Sequence, residues 1–208
     1  MDIFSFSRVT AAYYTPEQAE ILESITIGIA GTGGIGSNCA LLLVRSGFYR
    51  FTLIDFDTVT TSNLNRQAFT SAHIDRLKVK CLHELCTAIN PAVEITPYAA
   101  RIDSANVLQL FDNCDVIIEA FDDAESKALL FSSYLDSGKL LVGVSGIAGI
   151  GGTDRISIRK IRKNCYIVGD EVSGVTETVK PFAPRVMVAA AKMADLVLSK
   201  VLEGLSTG

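Results

Sequence analysis

Gly31-Thr32-Gly33-Gly34-Ile35-Gly36-Ser37 follows the apolar run Ile25-Thr26-Ile27-Gly28-Ile29-Ala30 and opens the apolar stretch Ile35 to Val44. Strand, glycine turn and helix in that order form the context that a phosphate-binding glycine loop requires. Unpaired N–H groups at a helix start carry partial positive charge, and a side chain at Gly31, Gly33 or Gly36 would block a phosphate from approaching them. Gly31, Gly33, Gly34 and Gly36 are therefore assigned to a phosphate-facing loop. The same glycine pattern also serves tight packing of helix on strand, so the loop alone does not decide the matter.

Asp55 lies about 20 residues beyond the loop, at the end of the next strand, Phe51-Thr52-Leu53-Ile54, where an acid accepts from ribose hydroxyls. Taken by itself this fingerprint favours NAD and an oxidoreductase. A dinucleotide site has no evident use, however, for the polar stretch Ser62-Asn63-Leu64-Asn65-Arg66-Gln67 that follows Asp55-Phe56-Asp57. Arg66 presents a fork that pairs with phosphate oxygens, and Asn63 and Gln67 donate hydrogen bonds without adding charge, which suits a triphosphate. The alternative is a solvated polar loop. Arg76, Lys78 and Lys80 fall at the first turn of a helix expected over 77–89, where the macrodipole disfavours cations by about 0.3–1 kcal/mol each unless an anion is near. A bound phosphate would remove that conflict at Lys78, and Lys80 is expected to swing into water. Asp122 follows the apolar strand Asp115 to Ala120, at the sheet edge where open α/β folds bind ligands. There it can hold magnesium, which prefers carboxylate and phosphate oxygens, or it can cap the next helix. Asp123 has the same capping option.

Around these motifs the chain alternates. Strands are expected near 25–30, 50–55, 94–98, 115–120 and 140–145, separated by helices near 35–46, 77–89, 104–111 and 124–136. The alternation implies an α/β, Rossmann-like, doubly wound and mainly parallel sheet. Thr15-Pro16-Glu17-Gln18 supplies a capping box with proline at the first helical position, so a short helix should run to about Leu22. Arg155 to Val168 reads as a C-terminal antiparallel extension, a hairpin followed by a long loop and a helix over about 184–202. The loops at 57–76 and 169–182 are longer than packing requires, as functional loops are.

With 208 residues, one domain over 1–208 is expected, large enough to bury a core without disulfides or metal. A hydrophobic fraction of 49% and mean hydropathy of +0.33 suit a sheet buried on both faces. The apolar runs are interrupted before about 18 residues, so no membrane segment is expected. Met1-Asp2-Ile3-Phe4 has no basic leader or cleavage pattern, and a cytoplasmic location is the expectation. The five cysteines, Cys39, Cys81, Cys86, Cys114 and Cys165, are scattered and odd in number, which suits buried reduced thiols. There is no Cys-x-x-Cys pair and there are two histidines, so no zinc site is expected. A net charge of −4 with sequence pI ≈ 5.2 does not support attraction to nucleic acid. The basic cluster Arg155, Arg159, Lys160, Arg162 and Lys163 stands out against that average. It reads as a charged hairpin edge that discourages edge pairing, or as a docking patch for an acidic partner.

In order, GTGGIGSN, LIDFD, SNLNRQ, Lys78 and the EAFDD run at 119–123 resemble the ThiF/MoeB/HesA family, adenylating enzymes related to ubiquitin activators. The likeness spans about residues 25 to 145. It looks nearest to the short, type 2 form of ThiF, through Gly146-Ile147-Ala148-Gly149, Gly169-Asp170 and Ala183-Pro184-Arg185-Val186.

The resemblance implies a nucleotide-binding core over about 25–145 and a carrier-binding part over about 146–204. It further implies that ATP is attacked at its α-phosphate by the C-terminal glycine carboxylate of a ubiquitin-like sulfur carrier ending in Gly-Gly. That reaction would serve the synthesis of thiamine or a related sulfur compound. Asp55 and Asp57 go with the nucleotide, Asn63, Arg66, Gln67 and Lys78 with the triphosphate, and Asp122 with magnesium. Family members are homodimers in which an N-terminal arginine reaches the partner's phosphates, and Arg8 is the candidate. Many relatives carry two cysteine pairs for zinc and a reactive cysteine in the crossing loop; here the segment from Gly169 to Pro184 has none. A non-catalytic partner subunit is the remaining alternative.

Overall fold

The computed structural model describes residues 12–204. It opens with helix α1 (Pro16–Ser24), whose capping box forms as the sequence predicts: Gln18 N–H donates to Thr15 Oγ1 at 3.3 Å and Thr15 N–H to Gln18 Oε1 at 3.0 Å. Then come β1 (Thr26–Ala30), α2 (Gly34–Arg45), β2 (Arg50–Ile54), α3 (Lys78–Ile89) and β3 (Glu94–Tyr98). The chain continues through α4 (Val107–Leu110), β4 (Val116–Glu119), α5 (Ala124–Tyr134), β5 (Leu140–Val144), β6 (Ser157–Arg162), β7 (Cys165–Gly169) and α6 (Ala183–Glu203).

The seven strands form one sheet in the order β3-β2-β1-β4-β5-β7-β6. Every pairing is parallel except β6 with β7. Alternate side chains enter opposite layers, as strand geometry requires. Ile27, Ile29, Val116 and Ile118 join a core shared with α2, α3 and α6, while Ala30, Ile54, Ile117 and Leu141 join a second core with α4 and α5. β3 is the edge strand on one side. It is partly exposed and contains Pro97, a residue that a central strand would not tolerate because it cannot donate to the ladder.

One expectation is adjusted. The helix expected over 104–111 is a single turn, Val107–Leu110, because Asp103 Oδ1 accepts the N–H groups of Ala105 and Asn106 at 2.8 and 3.0 Å and holds that stretch in a turn. The expected C-terminal antiparallel hairpin forms from β6 and β7, and it joins the main sheet through β7, which pairs in parallel with β5.

Gly36, assigned to the phosphate-facing loop, instead sits beneath it: a Cβ there would lie 1.9 Å from Gly31 O and 3.0 Å from Ile29 Cγ2. Its role is close packing of α2 on β1, since the loop turns back on itself at this point. Gly36→Ala should destabilise the fold by about 1–3 kcal/mol, several degrees of Tm for a chain of this size. A thermal melt followed by circular dichroism checks this, and an unchanged Tm would refute the packing assignment.

Candidate nucleotide site

At the carboxyl ends of the parallel strands lies a cleft of about 1180 Å³. β1 is the strand from which the sheet grows in both directions, with β2 on one side and β4 on the other. Such a switch point leaves a crevice, because the connections on its two sides lead to opposite faces.

Gly31 has φ of +91°, a conformation that glycine adopts without strain. Its N–H donates to Ile54 O at 2.8 Å, and a Cβ would lie 2.9 Å from Ala120 O. Gly33 is the N-cap of α2 and offers no side-chain cap, which leaves that helix end for an anion. Gly31, Gly33 and Gly34 line the cleft.

Asp55 is buried at the end of β2 and lines the same cleft. Its Oδ2 accepts from Thr32 N at 2.8 Å and Thr32 Oγ1 at 3.1 Å, and its Oδ1 from Asp57 N at 2.9 Å. The carboxylate thus fastens the glycine loop to β2, and of its roughly four acceptor positions about one is left for a ribose hydroxyl.

Lys78 is nearly buried, with its side chain 8% exposed, and its Nζ donates to Asp57 Oδ2 at 2.6 Å. The anion needed at the start of α3 is therefore supplied by the chain itself. Lys80 is exposed. Arg66 is steered by its Nη1 donating to Asn65 Oδ1 at 2.8 Å and to Ser62 O at 3.2 Å. Gln67 is buried, and its Oε1 has no hydrogen-bond partner, a costly state for a buried amide. Its Nε2 lies 3.7 Å from the position a Cβ on Gly33 would take, so the side chain reaches the glycine loop.

Asp57, Arg66, Gln67, Lys78 and Asp122 all line the cleft. Asn63 does not: it turns back to cap its own 3-10 turn, its Oδ1 accepting from Thr60 N at 3.0 Å. Asn65, to which the sequence motif assigns no role, lines the cleft in its place. Asp122 is exposed, and the cap of α5 is Asp123, whose Oδ1 accepts Ser126 N at 2.7 Å. Burial pulls the Asp123 carboxyl up, but the hydrogen bonds from Ser126 outweigh it and hold it below its usual range. Arg8 lies outside the described residues.

Three groups went unassigned in the sequence. Glu119, fully buried at the end of β4, pairs with Lys127 Nζ at 2.8 and 2.9 Å. Burial pushes the Glu119 carboxyl up, against the pull of Lys127. The signal was an acid ending an otherwise apolar strand. Arg101 lies over the Phe56 ring, 4.8 Å from its centroid, and both line the cleft. Arg185, 2% exposed, donates to Asp170 Oδ2 at 2.6 Å and to Gly151 O at 2.6 Å, joining two of the later sequence motifs in one ion pair. That pair anchors the base of the loop after β7, whose Ser173, Gly174, Val175, Lys180 and Pro181 wall the far side of the cleft.

The five cysteines are buried and unpaired, and burial raises the Cys39 and Cys86 thiols to about 12. Such thiols are not nucleophiles near neutral pH. In the basic cluster, Arg159 pairs with Glu171 at 2.5 Å and Arg162 with Asp136 at 3.0 Å, on a strand exposed along its length. Among the described residues no helix is long and apolar enough to cross a membrane. No group of three or more His, Cys, Asp or Glu among them is placed to hold a metal.

A model of the ThiF family matches residues 6–203. The molybdopterin-synthase adenylyltransferase of Escherichia coli is 36% identical over 105 residues, 50% of this chain and 42% of that protein. The sulfur carrier protein adenylyltransferase of Thermus thermophilus is 30% identical over 128 residues, 61% of this chain and 47% of that protein. The matched part spans less than half the length of these curated relatives. Among solved structures, the E. coli tRNA N6-threonylcarbamoyladenosine dehydratase in complex with ATP superposes with a TM-score of 0.88 at 21% identity, covering 97% of this chain and 96% of that one. At that identity the likeness is one of fold.

Burial alone would raise the Asp170 carboxyl, but the Ser173 hydroxyl, the N–H groups of Ser173 and Val172, and Arg185 hold it far below the usual carboxylate range. Because its folded-state pKa is depressed, its contribution is complete above the unfolded value of about 3.9 and is lost as pH falls toward the folded one. Asp170→Asn, which leaves Arg185 buried without a counter-charge, should cost about 3–5 kcal/mol at pH 7. The difference from wild type should shrink as pH falls below about 4, read by denaturant unfolding at several pH values. A gap that stayed constant with pH would contradict the ion pair.

Proposed function

The chain belongs to the ThiF family, and on that footing we propose that it adenylates the C-terminal glycine carboxylate of a ubiquitin-like sulfur carrier protein, consuming ATP and releasing pyrophosphate. The observation that carries this reading is the gathering of the bare α2 N-terminus with Arg66, Gln67, Lys78 and Asp122 around one cleft. Thiamine or a related sulfur compound is the product to which the reaction would contribute, and a homodimer with Arg8 reaching the partner's phosphates is part of the same reading.

A carboxylate is already ionised near neutral pH, so the reaction needs no general base. The difficulty is to bring one anion in line with another, which makes positioning and charge neutralisation the main work of the protein. The α2 end would take phosphate oxygens on its backbone N–H groups. Arg66, already steered by Asn65 and Ser62, would add its fork, and the unpartnered Gln67 amide would gain a partner. Lys78 would exchange part of its bond to Asp57 for the phosphates. Asp55 has an acceptor position to spare for the ribose. Phosphate oxygens and a single acid suit magnesium, which takes few protein ligands, so Asp122 would hold it; when bound, it neutralises phosphate charge. An NAD-dependent oxidoreductase would use the glycine loop and Asp55 but leaves Arg66, Lys78 and Asp122 idle. A tRNA substrate finds no support in a net charge of −4.

The test is ATP–pyrophosphate exchange with carriers ending in Gly-Gly, with a tail-truncated carrier and a tRNA pool as parallel arms, and calorimetric titration with NADH beside ATP plus magnesium. Exchange that requires the intact tail is expected. Exchange driven by tRNA, or binding of NADH in preference to ATP, would overturn the reading. Arg66→Ala and Lys78→Ala should each lower turnover by about 10²–10³, or about 2.7–4 kcal/mol, with the fold intact. Wild-type turnover at saturating ATP in either variant would remove that residue from the site.

A further inference from the structure

We propose that the buried Glu119–Lys127 ion pair is a positioning device that sets the distance between the glycine loop and Asp122. The inference rests on the reading of Asp122 as the magnesium acid. Glu119 ends a strand whose other residues are apolar, and it is fully buried. A carboxylate in such a place is costly compared with an aliphatic side chain, so packing alone does not call for it.

Its bonds define what it does. Oε1 accepts Phe121 N–H at 2.8 Å, one residue before Asp122. Lys127 Nζ spans both carboxylate oxygens at 2.8 and 2.9 Å and reaches Val144 O at 3.3 Å, tying α5 to the ends of β4 and β5. On the other flank Asp123 is fixed as the α5 cap, and Ala120 N–H donates to Ala30 O at 2.8 Å. Both neighbours of the exposed Asp122 are therefore held, and Phe121 is held by Glu119. The same turn abuts the phosphate end: a Cβ on Gly31 would lie 2.9 Å from Ala120 O and 3.1 Å from Phe121 Cδ1. Glycine loop, turn and acid form one connected piece, with Glu119 as its anchor and Lys127 as the donor that aims it.

The experiment is calorimetric binding of ATP to the full chain, once with magnesium and once with EDTA, for wild type, Asp122→Asn, Glu119→Gln, Lys127→Gln and Lys127→Arg. Outer-shell partners of a metal acid are worth about 10–100-fold in metal affinity, so Glu119→Gln and Lys127→Gln should weaken magnesium–ATP by that factor and leave ATP in EDTA within about twofold. Lys127→Arg, which keeps a cation facing Glu119, should recover most of the loss. The two ends of the pair are altered separately, so the result stands on whichever variant retains the wild-type circular dichroism spectrum. If Asp122→Asn weakens magnesium–ATP and the Glu119 and Lys127 variants do not, the positioning role is wrong. Equal loss with and without magnesium would mark a merely structural pair and also overturn it. If Asp122→Asn binds magnesium–ATP as wild type does, the magnesium reading itself falls, and this inference falls with it.

Discussion

The backbone of the glycine loop passes so close to its neighbours that little else in the chain could be arranged differently. At Gly36 it leaves no room for a methyl group beside Gly31 O, and at Gly31 it lies against Ala120 O. Asp55 fastens this loop to the end of β2 with two hydrogen bonds from Thr32, and a third from Asp57 N–H fixes its own orientation. β1, β2 and β4 are thereby locked at their carboxyl ends, and the bare N-terminus of α2 is presented to the crevice between them. The cleft follows from that junction: the loops after β1, β2 and β4 border it directly, and the helices that flank them add Lys78, Lys127 and Val186.

Four cations of the cleft already have partners within the chain. Lys78 has Asp57, Lys127 has Glu119, Arg159 has Glu171, and Arg66 leans on neutral oxygens of Asn65 and Ser62. Internal partners of this kind hold flexible side chains near their working positions, which reduces the ordering a bound anion must impose. They also set a competition, because a phosphate gains a cation only by loosening that cation's existing bond. Gln67 differs from these four, its buried amide oxygen having no donor to accept from.

Much of this was legible in the sequence wherever the determinant is local. The alternation of apolar runs gave the strands, Thr15 and Gln18 gave the first helix, and the glycine spacing gave the strand-turn-helix at the crevice. Arg66, Gln67, Lys78, Asp55, Asp57 and Asp122 were brought to one cleft as their motifs suggested. What escaped depends on partners distant in the chain. Asp57 meets Lys78 across 21 positions, so the cation problem at the start of α3 seemed to need a phosphate when it already had a carboxylate. Asn63 and Asn65 differ by two positions in a polar loop, and only the 3-10 turn decides which of them faces inward. Gly36 belongs to the right motif but serves packing. The direction of β7 was hidden because a two-residue turn at Lys163-Asn164 signals a hairpin without saying which sheet will receive it.

The place of β1 in the sheet bears on how the chain emerges from synthesis. β2 begins 24 positions after β1 begins and β3 begins 68 after it, but the other neighbour of β1, β4, begins 90 positions after it, with Thr26 N–H bonding Asp115 Oδ2 across 89 positions. A nascent chain can therefore hold β1, β2 and β3 as a three-stranded fragment whose most apolar strand is also an open edge. Such an edge invites pairing with a neighbouring nascent chain. The interval until β4 leaves the ribosome is the period in which a chaperone would matter most to this fold.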